Sequence, residues 1–380
     1  MSSPVTNAAA GSPVTQAEPP SKRETQATID KLLAYLTGIE DPDGDFSFQF
    51  QGMKVDDKSW TVWNWPQGVG LFGAYKNYRM TKNPDALRIV EEWFDGNMLE
   101  GAPEKNINTM APLLAMACLY EDTGDSRYLP YLERWASWAM YDLTRTEEGG
   151  FQHVTYGPER HNQMWDDTLM MTVLPLAKIG KLLGRDDYVE EAKYQFLVHS
   201  QYLEDKVTGL WYHGWNFDGR HNFGEAFWCR GNCWVTIAIP ELLDILDLPD
   251  TDAFKRQMLR VLNAQVHALA ECQDPESGLW HTLLDDPSTY LETSGSAGIA
   301  AGILKAIDCR YIDPSYDVVA MRAVAGLMTQ VGEHGEVANV SIGTECFMDP
   351  EGYKTVEITE MPYGQSLTAL ALTEYLLTFC

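Results

Sequence analysis

Residues 149–200 read GGFQHVTYGPERHNQMWDDTLMMTVLPLAKIGKLLGRDDYVEEAKYQFLVHS, and the fold class follows from this stretch. After the pair Asp166–Asp167 the chain is apolar on most sides as far as Gly180, the pattern of a helix surrounded by protein. A short polar turn, GRDD, separates it from a second helical pattern whose apolar residues recur at i, i+3, i+4 and i+7 only, the mark of a half-exposed helix. A Gly-led segment rich in aromatics and His precedes the pair. The same unit recurs along the chain. GLWYHGW (209–215) leads to FWCRGNCWVTIAIPELL and then to TDAFKRQMLRVLNAQV at 251, and GLWHTLLDD (278–286) leads to ETSGSAGIAAGILKAI. HGEVANV (334–340) precedes PYGQSLTALALTEYLL, DGDFSFQF (43–50) precedes WTVWNWPQGVGLFGAY, and MLEGAPEKNINTM (98–110) precedes APLLAMACLY. Outer-type helices begin at NPDALRIVEEWF (83) and GDSRYLPYLERWASWAM (124).

Six such hairpins, repeating roughly every 50–70 residues, predict an all-α (α/α)6 barrel with apolar helices inside and amphipathic helices outside. An open solenoid would show more uniform repeats and no aromatic loops gathered before one helix of each pair. The closed arrangement brings all six Gly-aromatic segments to one end, so that Trp63, His153, Trp165, His213, Trp215, Arg230, Trp234 and His281 are expected to converge on one cleft. Residues 1–24, rich in Ser, Pro, Ala and Thr, are expected to form a disordered leader, and residues 25–380 a single catalytic domain.

Composition excludes several functions. Asp plus Glu number 55 against 28 Lys plus Arg, a net charge of −27. That field repels phosphate backbones and anionic lipid, so neither nucleic acid nor membrane is expected as a partner. The N-terminus lacks a basic start followed by an apolar run, and no long apolar stretch free of charge occurs. Seven cysteines with no zinc-like spacing read as reduced thiols in a cytosolic protein. HExxH, GxSxG, GxGxxG and P-loop patterns are absent, and DPDGDF at 41 is too short for a calcium loop, so no metal or cofactor is expected. Oligomeric state leaves no trace in the sequence.

The densest chemistry lies in MWDDTLMM. Asp166 and Asp167 open an inner helix, where adjacent residues point about 100° apart, so one can cap or pair while the other faces the cleft. Periodicity does not choose between them. Arg230 and Trp234 lie four apart on one face of an apolar helix; a buried Arg either holds an internal carboxylate or offers its fork to a ligand carboxylate. His213 stands among aromatics, a setting common for hydrogen-bonded core histidines, and His281 occupies the matching place one repeat later.

GGFQH, MWDDTLMM, LWYHGW and the R-G-N-x-W of RGNCW, in this order, resemble the unsaturated rhamnogalacturonyl hydrolases of glycoside hydrolase family 105, from about residue 30 to the C-terminus. The resemblance implies an (α/α)6 barrel. It also implies removal of the unsaturated (4,5-ene) galacturonyl residue from the non-reducing end of lyase-generated rhamnogalacturonan oligosaccharides. The reaction it implies is hydration of the C4=C5 vinyl ether, without metal or organic cofactor. One carboxyl group protonates C4 and then deprotonates the water that attacks C5, in place of the two carboxylates of ordinary glycosidases. By motif position that group is Asp167, its pKa raised by a tryptophan-lined cleft. Trp165 would form part of the sugar platform, and His153, His213, Arg230 and Trp234 would hold the uronate and hydroxyls, beside Trp63 and Asp166. Family members commonly carry a second Asp at the start of the second inner helix. Here that stretch reads NINTM, so Asn106 or Asn108 takes its place; an amide is no base, which leaves Asp167 as the sole acid/base. The alternatives are an unsaturated glucuronyl hydrolase, a non-catalytic sugar-binding barrel, and an epimerase using paired His bases.

Overall fold

The computed structural model describes residues 19–380, so residues 1–18 of the predicted leader lie outside the described residues. The long helices are α1 (Lys22–Leu36), α2 (Trp65–Thr81), α3 (Pro84–Glu100), α4 (Pro112–Thr123), α5 (Leu129–Tyr141), α6 (Leu174–Leu183), α7 (Asp186–Leu203), α8 (Cys229–Leu246), α9 (Ala253–Cys272), α10 (Thr293–Asp308) and α11 (Asp317–Gln330). A single turn, α12 (Glu351–Lys354), and α13 (Pro362–Phe379) complete the set. Lys22–Glu24, counted with the leader from composition, form the first turn of α1, capped by Ser21.

The helices form the expected (α/α)6 barrel. α2, α4, α6, α8, α10 and α13 each pack on the next, and α13 returns to α2, so the inner ring is closed. The odd-numbered helices up to α11 lie outside. Sequence pattern decides which is which. Every residue of α13 from Pro362 to Leu376 is buried. In α9 only Phe254, Met258, Val261, Leu262, Gln265, Val266, Ala268 and Leu269 are, a single stripe at helical spacing. Each fully buried Leu, Ile or Phe contributes on the order of 1.5–3 kcal/mol, and these side chains form one continuous core.

Small residues set how closely the inner helices approach. A Cβ on Gly302 of α10 would lie 2.3 Å from the Thr236 carbonyl oxygen of α8, and one on Gly298 would lie 2.5 Å from Cys233 Sγ. Cys229 and Cys233 are packed free thiols, and none of the seven cysteines forms a disulfide. The end of the barrel where the inner helices finish is closed by ion pairs: Lys76 bridges Glu241 and Glu374, and Lys305 meets Asp244 at 2.6 Å. The other end, where the inner helices begin, carries the irregular segments.

A small antiparallel hairpin and a separate two-stranded antiparallel ladder decorate that open end. β1 (Ser47–Phe50) pairs with β2 (Met53–Asp56), Ser47 opposite Asp56. Gln51 and Gly52 between them both take positive φ, the type I′ geometry that suits a tight hairpin. β3 (Gln163–Trp165) pairs with β4 (Gly214–Asn216), Trp165 opposite Gly214. No described helix is long and apolar enough to cross a membrane.

Candidate active site

A cavity of about 340 Å³ opens between the starts of the inner helices, within the usual size range of small-molecule sites. Its wall takes Asn64 and Trp65 from the start of α2, Asn108 from the turn before α4, His153, Arg160, Trp165 and Asp167 from the run before α6, and Trp228 and Arg230 from the start of α8. Gly343–Glu345, ahead of α13, and Phe48, Asp57 and Tyr156 complete it. A larger groove of about 690 Å³ lies between α1 and α3, walled by outer-helix side chains such as Arg88 and Glu92, and shares no lining residue with this cavity.

Asp167 faces the cavity and Asp166 does not. The β3–β4 ladder continues into a backbone bond from Asp166 N–H to the His213 carbonyl at 3.0 Å, which fixes the turn. A π-helical turn, Leu169–Val173, follows and aims the preceding residues at the cleft. Asp166 is fully buried behind the cavity wall, and a Cβ on Gly231 would lie 2.4 Å from its Oδ2. Burial and the adjacent Asp167 charge push the Asp166 carboxyl well up.

The expected raised pKa of Asp167 is not what the structure shows. Burial acts to raise it, but the His213 imidazole beside it holds it well below the usual carboxylate range. His213 lies beneath the cavity floor, its Nε2 3.4 Å from Asp167 Oδ2 and its Nδ1 2.8 Å from the Tyr353 hydroxyl. His153 stacks on Trp165 at 4.2 Å and 11°, with Nδ1 3.2 Å from Thr168 Oγ1. Burial brings the His153 pKa down to about 3, so it is neutral at every working pH. Trp165 is covered on one face by His153 and carries the Arg160 guanidinium 4.8 Å from its ring, while Arg160 itself pairs with Glu345.

Asp166, Asp167 and His213 place three ligand atoms within 4.8 Å of one another, a spacing that one cation could bridge. Asp166 and His213 reach that point from below the wall rather than from the cavity.

Arg230 is at the cavity edge, but its fork is already committed. Nη1 donates to Ser341 Oγ at 2.8 Å and the Ser341 carbonyl at 3.1 Å, and Nη2 donates to the Ile342 carbonyl at 2.9 Å and Thr344 Oγ1 at 3.0 Å. Its charge faces the fully buried Glu292 at 3.4 Å. Of the two sequence readings for this Arg, the internal carboxylate is realised, and the side chain pins residues 341–344 as a cleft wall.

Four predicted residues lie elsewhere, and one of them, Trp215, packs against Tyr202 and Phe217 at ring distances of 5.2 and 6.1 Å instead of lining the cavity. Trp63 points away from the cleft into an aromatic cluster with Trp93, Phe94, Tyr131 and Trp135, and its indole N–H donates to the Thr109 carbonyl at 2.8 Å. Trp234 is one turn too deep, buried beneath Trp65 in an edge-on contact at 5.5 Å. His281 is held at the Thr289 carbonyl, 2.5 Å away, and is not among the lining residues, which removes the paired-His arrangement. Asn108 does line the cavity, while the neighbouring Asn106 is buried, its Oδ1 accepting from Asn108 and Thr109 N–H.

Asp57, Asn64, Trp65, Arg160, Trp228 and Thr344 were not anticipated. Asn64 caps α2, its Oδ1 accepting from Trp65 N–H at 2.9 Å, which turns its Nδ2 onto Asp57 Oδ1 at 3.1 Å. Burial, then the adjacent Asp56, push the Asp57 carboxyl up to about 6, with the Asn64 bond opposing them.

A family model described as Glycosyl Hydrolase Family 88 matches residues 39–379. The unsaturated rhamnogalacturonyl hydrolase YesR of Bacillus subtilis is 33% identical over 320 residues, which cover 83% of this chain and 90% of YesR. An unsaturated 3S-rhamnoglycuronyl hydrolase of an Alteromonas species is 28% identical over 56% of this chain and 51% of that protein. The crystal structure of a possible member of the GH105 family from Salmonella enterica superposes with a TM-score of 0.92 at 52% identity, covering 94% of each chain. A second possible member, from Klebsiella pneumoniae, gives 0.93 at 50% identity over 97% of this chain and 99% of that one.

Proposed function

Since the chain belongs to glycosyl hydrolase family 88 and is a glycoside hydrolase, we propose that it removes the unsaturated galacturonyl residue from the non-reducing end of rhamnogalacturonan fragments left by a lyase. The observation that carries this reading is Asp167, a carboxylate facing a tryptophan-lined cavity of sugar size with His213 directly behind it. The name of YesR supplies the substrate class.

The reaction is hydration of the C4=C5 vinyl ether. A proton is added at C4, the resulting cation at C5 shares its charge with the ring oxygen, and water attacks C5. The hemiketal then opens and releases the sugar below. Asp167 is the acid/base of this sequence. Its O–H bond breaks as the C4–H bond forms, and the carboxylate left behind takes a proton from the attacking water, so the group ends the cycle as it began. Trp65 offers a flat face to a sugar ring, Trp165 and Trp228 line the cavity with ring faces already covered by His153, Arg160, His213 and Arg230, and Asn108 offers an amide to a hydroxyl. The chemistry draws on no metal or cofactor.

Unsaturated uronyl residues absorb near 235 nm, and hydration destroys the conjugated double bond. Purified protein mixed with an unsaturated rhamnogalacturonan disaccharide is expected to bleach that band, and Asp167→Asn to stop it while still binding the sugar. Bleaching with unsaturated glucuronyl disaccharides alone would transfer the substrate to that class, which the relatives named as 3S-rhamnoglycuronyl hydrolases keep in view. Binding without bleaching in the wild type would make the barrel a sugar-binding protein.

A further inference from the structure

A uronic acid brings a carboxylate with it, and this cavity is poorly disposed toward anions. Asp57, Asp167 and Glu345 line it against two guanidiniums, Arg160 and Arg230, in a chain whose net charge is −27. Both Nη groups of Arg230 are spent. Nη1 serves Ser341 and faces Glu292, and the two protons of Nη2 go to the Ile342 carbonyl and Thr344 Oγ1. Arg160 is held differently. Its Nη1 donates to Thr155 Oγ1 at 2.9 Å and to the Pro158 carbonyl at 3.3 Å, which fixes the group. Nη2 donates to Glu345 alone, and Nε donates to nothing among the described residues. The Nε–Nη2 edge can grip a carboxylate with two parallel hydrogen bonds.

We propose that Arg160 is the receptor for the carboxylate on C5 of the unsaturated sugar, and that Glu345 holds that carboxylate's place until substrate displaces it. The assignment rests on the uronyl hydrolase reading above and extends it to specificity. Three observations carry it. The Arg160 side chain is 9% exposed and that of Glu345 59%, so the cation is built into the wall and its partner is the removable half. The guanidinium lies 4.8 Å from the ring of Trp165, two residues before Asp167, so the anchor and the acid/base share one short run of chain. Residues 343–346 enter no backbone–backbone hydrogen bond among the described residues, and a Cβ on Gly343 would meet nothing within 4 Å. Glu345 can therefore turn out to solvent without unmaking structure, while Thr344 stays bonded to Arg230.

Exchanging one carboxylate for another keeps the charge of Arg160 balanced throughout. Glu345 gives up an ion pair open to water, a kind that contributes little. The substrate gains one inside the cavity, against the wall that holds Arg160. Were Glu345 to stay, its charge would oppose that of the sugar in the same small space. A neutral terminal sugar gives Arg160 no partner and leaves Glu345 seated, so the pair selects the acid over its ester.

The test compares the unsaturated rhamnogalacturonan disaccharide with its uronyl methyl ester, following the 235 nm band in the wild type, Arg160→Gln, Arg160→Lys and Glu345→Gln. The wild type should favour the acid in kcat/KM by about 10-fold or more. Arg160→Gln should raise KM for the acid by a similar factor, change kcat far less, and abolish the preference. Arg160→Lys keeps the charge, loses the fork, and should fall between. Glu345→Gln should lower KM for the acid several-fold and shift KM for the ester much less. No preference in the wild type, a preference kept by Arg160→Gln, or a KM for the acid unchanged or raised in Glu345→Gln would each overturn the assignment. The uronyl reading would survive all three, because the wild type still bleaches the acid. A wild type that bleaches no unsaturated uronyl substrate would overturn reading and assignment together. Should Arg160→Gln prove unfolded by circular dichroism, Glu345→Gln decides, since a Glu345 that merely braced Arg160 would not lower KM when neutralised.

Discussion

Replacing Arg230 by Met keeps an unbranched side chain of similar length and deletes the guanidinium. In the wild type that group is 1% exposed, and Glu292 opposite it is 0% exposed. Without Arg230, Glu292 keeps its bonds from the Ser294 hydroxyl and from Gly295 and Ser341 N–H, but its charge has no counter-ion. Breaking a buried pair in this way costs about 3–5 kcal/mol. Unfolding entropy of about 2.1 cal/mol/K per residue gives roughly 0.8 kcal/mol/K for a chain of this length, so Tm should fall by about 4–6 °C. Calorimetry measures the shift, and denaturant titration checks that unfolding stays cooperative. Arg230→Met with Glu292→Gln removes both charges and should recover much of the loss, since an uncharged pair carries a far smaller desolvation penalty. The 341–344 wall loses its Arg bonds in both variants, so KM should rise in both. A Tm within about 1 °C of wild type for Arg230→Met, or strictly additive losses in the double variant, would refute the reading of Arg230 as a buried charge partner.

His213→Gln removes the imidazole that keeps Asp167 low. The carboxylate then protonates at a higher pH, so the alkaline limb of kcat/KM should move upward, as a pH–rate series will report. Asp57 has a folded-state pKa above its unfolded one, so the folded chain binds the extra proton between about 4 and 6, and the stability it lends is present below that window and lost as pH rises through it. Asp57→Asn should accordingly raise Tm at pH 7.5 and leave it nearly unchanged at pH 4. Trp65→Ala strips a cavity face stacked on Tyr363 at 4.6 Å and should raise KM more than it lowers kcat. Gly302→Ala puts a methyl 2.3 Å from the Thr236 carbonyl, and the forced separation of α8 and α10 should cost about 1–3 kcal/mol by denaturant titration.

The barrel was legible because its information is local. An inner helix such as α13 shows no polar stripe and an outer one such as α9 shows a single apolar stripe, and the order of the two types fixes which ends come together. Asp167 was legible through its motif, but the choice between it and Asp166 depends on the π-turn and on where Gly231 lets a carboxylate pack, neither of which has a sequence signal. Trp63 and Trp65 have opposite fates although both precede the same helix. They stand two residues apart across the N-cap Asn64, and the chain turns there from extended to helical, so one ring enters the outer aromatic cluster and the other the cleft. Asp57 could not be chosen among Asp41, Asp43, Asp45, Asp56 and Asp57, since only the hairpin register and a cap seven residues later single it out. Arg230 and Glu292 are sixty-two positions apart, beyond any periodicity.

Ring closure by α13 has a consequence for how the molecule is made. The hydroxyl of Ser366 donates to the Pro66 carbonyl across 300 positions of sequence, and α13 also covers α1. At a synthesis rate of roughly 5–20 residues per second, α2 leaves the ribosome some 15–60 s before its permanent neighbour exists. Through most of that interval its α13-facing side has no partner, and the cleft lacks the wall formed by 343–345. A chain stopped short of the last helix carries every lining residue of the cavity and still has an open ring, with an uncovered apolar seam that invites association with other unfinished copies.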